Sequence, residues 1–144
     1  MTRKFILSTV FVAIAGFSAV PAMANDVFIN QWGWGHSAGG QQTGRANQIG
    51  IHQDGRFNGS VANQRGRNNV AATGQTGRYH SSTIDQRGRN NAAGVGQFGR
   101  GHTSILTQDG RGNVAAGVQV GRNCSASVDQ SGSGNVAAFV QTCN

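Results

Sequence analysis

The sequence predicts an all-β fold: a β-solenoid, left- or right-handed, of five 22-residue coils with two strands in each. Three observations predict it. Gln recurs every eleven residues without a slip, at Gln31, Gln42, Gln53, Gln64, Gln75, Gln86, Gln97, Gln108, Gln119, Gln130 and Gln141. Gly stands two places after each of the first ten, at Gly33, Gly44, Gly55, Gly66, Gly77, Gly88, Gly99, Gly110, Gly121 and Gly132, and Cys143 takes that place in the last unit. Between these fixed points, inward-suited and outward-suited residues alternate. A register this strict is the signature of stacked repeats, each covering the open side of its neighbour.

The full repeat is twice eleven. Five places after Gln the residue is Asn47, Asn69, Asn91, Asn113 and Asn135 in alternate units. In the others it is His36, Asn58, His80, His102 and Cys124. Seven places after Gln it is small (Ala38, Ser60, Ala71, Ser82, Ala93, Ser104, Ala115, Ala126, Ala137), with Ile49 the exception. Nine places after, it is often apolar, as at Ile51, Ile84, Val95, Leu106, Val128 and Phe139. Positions five, seven, nine and the next Gln therefore share one face of a strand. Each unit reads as a strand of about six residues closed by a Gly-Arg-x turn, where Gly takes positive φ without steric cost. A helix would carry a Gly in every third turn, at about 1 kcal/mol each.

In chain order, residues 1–24 read as a secretory signal peptide. Arg3 and Lys4 precede an apolar run, and Pro21-Ala22-Met23-Ala24 forms a small-x-small cleavage site. Residues 25–30 form a short N-terminal leader, and residues 31–144 a single repeat domain. Beyond Ala24 there is no Pro, Lys, Glu or Met. Ten Arg face five Asp there, and Leu106 is the only leucine. Such a composition cannot build an ordinary apolar core. A disordered chain would need no register, so the interior must be made of ordered polar groups.

Stacked at about 4.8 Å per coil, the Gln side chains superpose in two columns and the Asn side chains of alternate units in a third. Stacked amides bond one to the next along the axis, as in cross-β ladders, which removes the cost of burying them. The two outer faces differ. One carries Ser81, Thr83, Asp85, Thr103, Ile105, Thr107, Ser125, Ser127 and Asp129. The other carries Val70, Ala72, Ala92, Phe98, Val114, Ala116, Val118, Val120, Val136, Ala138 and Val140, and reads as a lateral contact surface. With neither Pro nor Lys to blunt the terminal strands, both ends read as ready to accept another copy. Repetition of such a contact gives a filament with strands across its axis, the cross-β geometry of amyloid.

At this point the sequence resembles the curlins, the subunits of bacterial curli amyloid fibres. The family repeat is Ser-x5-Gln-x-Gly-x2-Asn-x-Ala-x3-Gln. The third coil reads His80, Gln86, Gly88, Asn91, Ala93, Gln97 at that spacing, and the fourth reads His102, Gln108, Gly110, Asn113, Ala115, Gln119. The resemblance covers essentially all of residues 31–144 and departs from the pattern in the Ser column, which is His, Asn or Cys throughout. It implies export through an outer-membrane secretion pore with accessory factors, and polymerisation with other curlin subunits into a fibre (fimbrium) on the cell surface. It also implies roles in biofilm, adhesion and surface colonisation. The family includes a major subunit and a minor subunit that nucleates it. A secreted monomeric solenoid acting as a binding module is the alternative reading.

Three further constellations stand out. Cys143 lies one coil above Gly121, beside Cys124, so the pair suits a disulfide between adjacent turns in an oxidising compartment, with a bridge between chains or two free thiols as the alternatives. His36, His80 and His102 share one inward column; stacked imidazoles would bind Zn²⁺ or Cu²⁺, sense pH near 6.5, or simply replace a hydrogen-bonding Ser at the corner. Arg45, Arg56, Arg67, Arg78, Arg89, Arg100, Arg111 and Arg122 follow the glycines. They form positive tracks suited to solubility or to extracellular DNA or anionic polysaccharide. No catalytic or cofactor-binding residues emerge: there is no carboxylate pair, activated nucleophile or phosphate loop, and no cofactor is expected.

Overall fold

The structure, a computed structural model, describes residues 24–144. The signal-peptide reading of residues 1–24 therefore falls, apart from Ala24, outside the described residues. Eleven strands follow one another: β1 Asp26–Trp34, β2 Ser37–Arg45, β3 Gln48–Arg56, β4 Gly59–Arg67, β5 Val70–Arg78, β6 Ser81–Arg89, β7 Ala92–Arg100, β8 Thr103–Arg111, β9 Val114–Arg122, β10 Ser125–Ser133 and β11 Val136–Cys143. Odd strands form a six-stranded parallel sheet in the order β1-β3-β5-β7-β9-β11. Even strands form a five-stranded sheet in the order β10-β8-β6-β4-β2. Every pairing joins residues 22 apart, as in Gln75↔Gln97 and Gln86↔Gln108. This is the predicted solenoid, with Gln over Gln and Gly over Gly.

Two local expectations need correction. The strands run to nine residues rather than six, because ladder pairing continues through Gln-x-Gly-Arg. The residues that turn the chain lie two places beyond each Gly. They adopt left-handed φ values near 56–62° at Ala46, Phe57, Asn68, Tyr79, Asn90 and Asn123. The pattern-fixed glycines have φ of 97–128° and end the strand instead of making the corner. A side chain at positive φ is disfavoured for most residues, so corner geometry here is imposed by the stacked coils on either side.

The leader is structured as well. Asp26–Asn30 belongs to β1 and pairs in register with β3 through Asp26↔Gln48 and Asn30↔His52. The core is a thin apolar seam holding Ile49, Ile51, Ala62, Ile84, Val95 and Leu106. Volumes compensate between rungs. A Cβ on Gly40 would press on the Ile49 side chain, and one on Gly117 would occupy the place of the Phe139 ring.

Candidate functional site: the ladder and its two edges

The two columns of Gln hold the solenoid together. From Gln31 to Gln119, each Nε2 donates to the Oε1 of the Gln one coil on, at 2.7–2.9 Å. From Gln42 onward, the same Nε2 donates a second hydrogen bond to a carbonyl at the start of the preceding strand, at 2.9–3.2 Å. Examples are Gln53 to Ser37 and Gln86 to Val70. That strand lies in the opposite sheet, so one side chain links coil to coil and sheet to sheet. Gln53, Gln64, Gln75, Gln97, Gln108 and Gln119 are fully buried, and a buried amide is tolerable because its polar atoms are paired.

The Asn column works differently from the expected amide-to-amide stack. Each Asn side chain bonds to backbone. The Oδ1 of Asn69 accepts the Asn91 N–H at 3.1 Å. Its Nδ2 donates to the carbonyls of Arg65 at 3.4 Å and Gly88 at 3.2 Å. Gly88 lies one coil above Gly66, and a Cβ on Gly66 would collide with the Gly88 carbonyl oxygen. The Gln-x-Gly-x2-Asn spacing is therefore one device. The glycine leaves room for the next coil's carbonyl to drop inward, and the Asn three places on receives it.

His36, Asn58, His80 and His102 perform the same task at the opposite corner. The Nδ1 of His36, His80 and His102 accepts the N–H of Asn58, His102 and Cys124, at 3.2, 3.3 and 3.1 Å. With Nδ1 accepting, Nε2 carries the proton and donates to the carbonyls of Trp32, Thr76 and Phe98, at 2.9, 3.2 and 3.0 Å. The His80 and His102 rings stack with centroids 4.9 Å apart. Burial holds the His80 imidazole below its ordinary pKa of 6.5; the neighbouring His102 adds to this, while hydrogen bonds to Thr76 and Gly99 oppose it. The column thus uses neutral imidazole in place of a hydrogen-bonding side chain. All ring nitrogens of the stacked pair are engaged. Among the described residues no three His, Cys, Asp or Glu side chains gather to hold a metal ion.

The outer surfaces carry the remaining features. Arg45, Arg67, Arg89 and Arg111 flank a glycine-floored groove of about 720 Å³ along the Asn corner. Arg56 and Arg78 line a second groove at the His corner. There Phe57 stacks on Tyr79 at 5.4 Å, and Arg100 sits 5.8 Å from the Tyr79 ring. The six-stranded sheet presents Val70, Val114, Val118, Val120, Val136 and Val140 outward, all exposed. This apolar face is interrupted at β3, which points out Gln48 and Asp54, and resumes on β1 with Phe28 and Trp32.

The family model described as the curlin associated repeat matches residues 61–88, 83–110 and 105–132. Together the matches run from 61 to 132, half of the 144 residues. The chain belongs to the curlin-repeat family. No curated protein matches the chain. The curlin matches fall on β4 to β10, where the Gln, Asn and Gly columns are complete on both sides. Curlin membership supports an extracellular location and self-association, and it fits a structural protein without enzymatic activity.

Cys124 and Cys143 are joined by a disulfide, with Cα atoms 5.6 Å apart. Sequence reasoning placed both residues in their columns but missed what those columns do, which is to seat a carbonyl and accept an N–H of the next coil. Cys124 stands in the acceptor column of the His corner, and Cys143 stands in the glycine column of that same corner. The signal lay in the spacing itself: both are the last members of columns whose other members obey one rule.

Proposed function

We propose that the chain is a structural subunit of extracellular curli-type amyloid fibres, exported through the periplasm to form a fimbrium on the cell surface. There it contributes to biofilm matrix, adhesion and surface colonisation. The observation that carries this reading is the unbroken parallel ladder. Hydrogen-bonded strands lie across a single axis, six in one sheet and five in the other, and the Gln columns end at both edges with amide groups still able to bond. Along the Gln columns a coil added at an edge extends the same ladder with no new type of contact, and repetition of that contact gives a filament. The purified mature chain is expected to form fibres in a concentration-dependent way, with a reflection near ~4.8 Å along the axis. A chain that stays monomeric for days at high concentration refutes the reading.

Two features extend it. The Arg-flanked grooves suit extracellular DNA or an anionic polysaccharide as a secondary ligand, because like charges one coil apart are relieved by a polyanion. The minor, nucleating role within a fibre made mainly of another curlin is the second reading. It is favoured by the interruption of two ladder columns at Cys124 and Cys143, which a homopolymer would repeat at every joint.

A further inference from the structure

The two edges of the solenoid are chemically unequal. At nine glycines, from Gly33 to Gly121, a Cβ would strike the carbonyl oxygen of the residue one coil on. Each coil is thus received by a residue with no side chain. At the last rung of the His corner that residue is Cys143. Were Cys143 to keep the positive φ of its column, its Cβ would occupy the place of the incoming carbonyl. Its φ is in fact not positive, so the backbone has already left the column geometry. Either way the next coil's carbonyl has no seat. This follows from residue type and holds whether the next coil belongs to the same chain or to another.

The second ladder function fails at the same corner. Every earlier member of this column, His36, Asn58, His80 and His102, offers an acceptor to the N–H one coil on. Cys124 carries no such acceptor, and its Sγ is bonded to Cys143. The other corner of the same edge is intact. A Cβ on Gly132 would meet only its own corner's Asn135 Nδ2, at 3.8 Å, and Asn135 has the Oδ1 that its predecessors use. The edge formed by β1 and β2 has no such defect. Gly33 presents its carbonyl, the Gly44 carbonyl is held at 3.1 Å by Asn25 Nδ2 of the same chain, and Gln31 and Gln42 donate inward while their own Oε1 atoms stand at the foot of the ladder.

We infer that this curlin is a one-sided subunit. Its β1–β2 edge docks onto the last coil of a curlin-repeat chain that keeps glycine and a hydrogen-bonding residue at both corners. Its own β10–β11 edge, closed at the His corner by Cys124 and Cys143, receives the next coil poorly. The inference rests on the fibre reading above. In a fibre of such partners the chain sits at the end that β10–β11 faces and slows or stops growth there.

Three forms of the mature chain test this by seeded elongation: wild type, Cys124→Ala/Cys143→Ala, and Cys124→Asn/Cys143→Gly. The Ala pair removes the disulfide without repairing either column, and the Asn/Gly pair restores both. The repaired pair is expected to elongate about tenfold faster than the other two, the factor a recovered buried hydrogen bond supplies. Wild type added substoichiometrically is expected to arrest fibres of the repaired pair. Equal rates for the Ala and Asn/Gly pairs overturn the inference, as does failure of wild type to slow the repaired fibres. Absence of fibres from all three overturns the fibre reading as well, which distinguishes the two failures. Hydrogen exchange on wild-type chain bound at the ends of fibres of the repaired pair reads its two edges separately. Protection gained by β1 amides but not by β11 amides supports one-sidedness, and equal gains refute it.

Discussion

Replacing Gln86 with Leu tests the ladder at its centre. Three hydrogen bonds meet on this side chain. Its Nε2 donates to Gln108 Oε1 at 2.8 Å and to the Val70 carbonyl at 3.0 Å, and its Oε1 accepts from Gln64 Nε2 at 2.7 Å. Leu has similar bulk and leaves little cavity, so the loss is polar. Gln64 keeps its second acceptor, the Gln48 carbonyl at 2.9 Å. Gln108 Oε1 and the Val70 carbonyl lose a donor inside a column that water does not reach. Two acceptors stranded at roughly 1–3 kcal/mol each give an expected loss of about 3–4 kcal/mol. Gln31→Leu is the internal control. Gln31 is exposed and makes a single ladder bond, to Gln53 at 2.7 Å, so its replacement strands one acceptor instead of two and is expected to cost about half as much, roughly 1–2 kcal/mol. Denaturant unfolding of the unassembled chain, read as a shift in midpoint at constant slope, measures both. A loss below about 1 kcal/mol for Gln86→Leu, or equal losses for the two variants, would refute the claim that the Gln columns carry stability through satisfied burial.

Four other outcomes are expected. Gly77→Ala puts a Cβ against the Gly99 carbonyl at a φ of 128° and is expected to cost roughly 3 kcal/mol or more, seen as loss of the folded circular-dichroism signal at moderate denaturant. Because folding lowers the His80 pKa from 6.5, the unfolded chain binds more protons. The His80 contribution is thus complete above pH 6.5 and is lost as pH falls below it through the folded value. His80→Asn, the residue type found at Asn58 in the same column, is expected to flatten that stretch of the stability curve. Reducing the disulfide, which spans 19 residues, is expected to lower stability by about 3 kcal/mol, with amide exchange rising first in β10 and β11. Ser60 and Ser104 bury hydroxyls that have no hydrogen-bond partner, so Ser104→Ala is expected to be neutral or to stabilise by about 1 kcal/mol in the same unfolding assay.

How far the structure could be read from the sequence depended on which residues repeat. Gln64, Gln86 and Gln108 are separated by the same 22 residues that separate their hydrogen-bond partners, so coil length, strand register and the buried column follow from counting. The faces follow from alternation, as Ile84 and Leu106 inside and Thr83 and Ile105 outside demonstrate. The corner was less legible. The turn falls on Gly-Arg-x as expected, but its left-handed corner residue is x, at Ala46, Phe57 and Tyr79, and not the glycine. No propensity favours φ near 60° at Phe or Tyr; the stacked coils and the Phe57–Tyr79 contact impose it.

Spacing alone set the period, the two sheets, the inward columns and the closeness of the two cysteines, because each depends only on counting along a chain that stacks on itself; that the cysteines are bonded within the chain is a finding of the structure. Only the tertiary structure decided how those columns bond. Asn was expected to bond amide to amide along the axis, and instead it holds backbone groups of the coil above; His holds such groups too, while its rings stack as expected. The cause is the glycine three places before each column residue. It lets the next coil's carbonyl move inward to a point that only three-dimensional packing defines. That same packing gives Cys124 and Cys143 a consequence beyond their disulfide, since they occupy the two positions that a following coil needs.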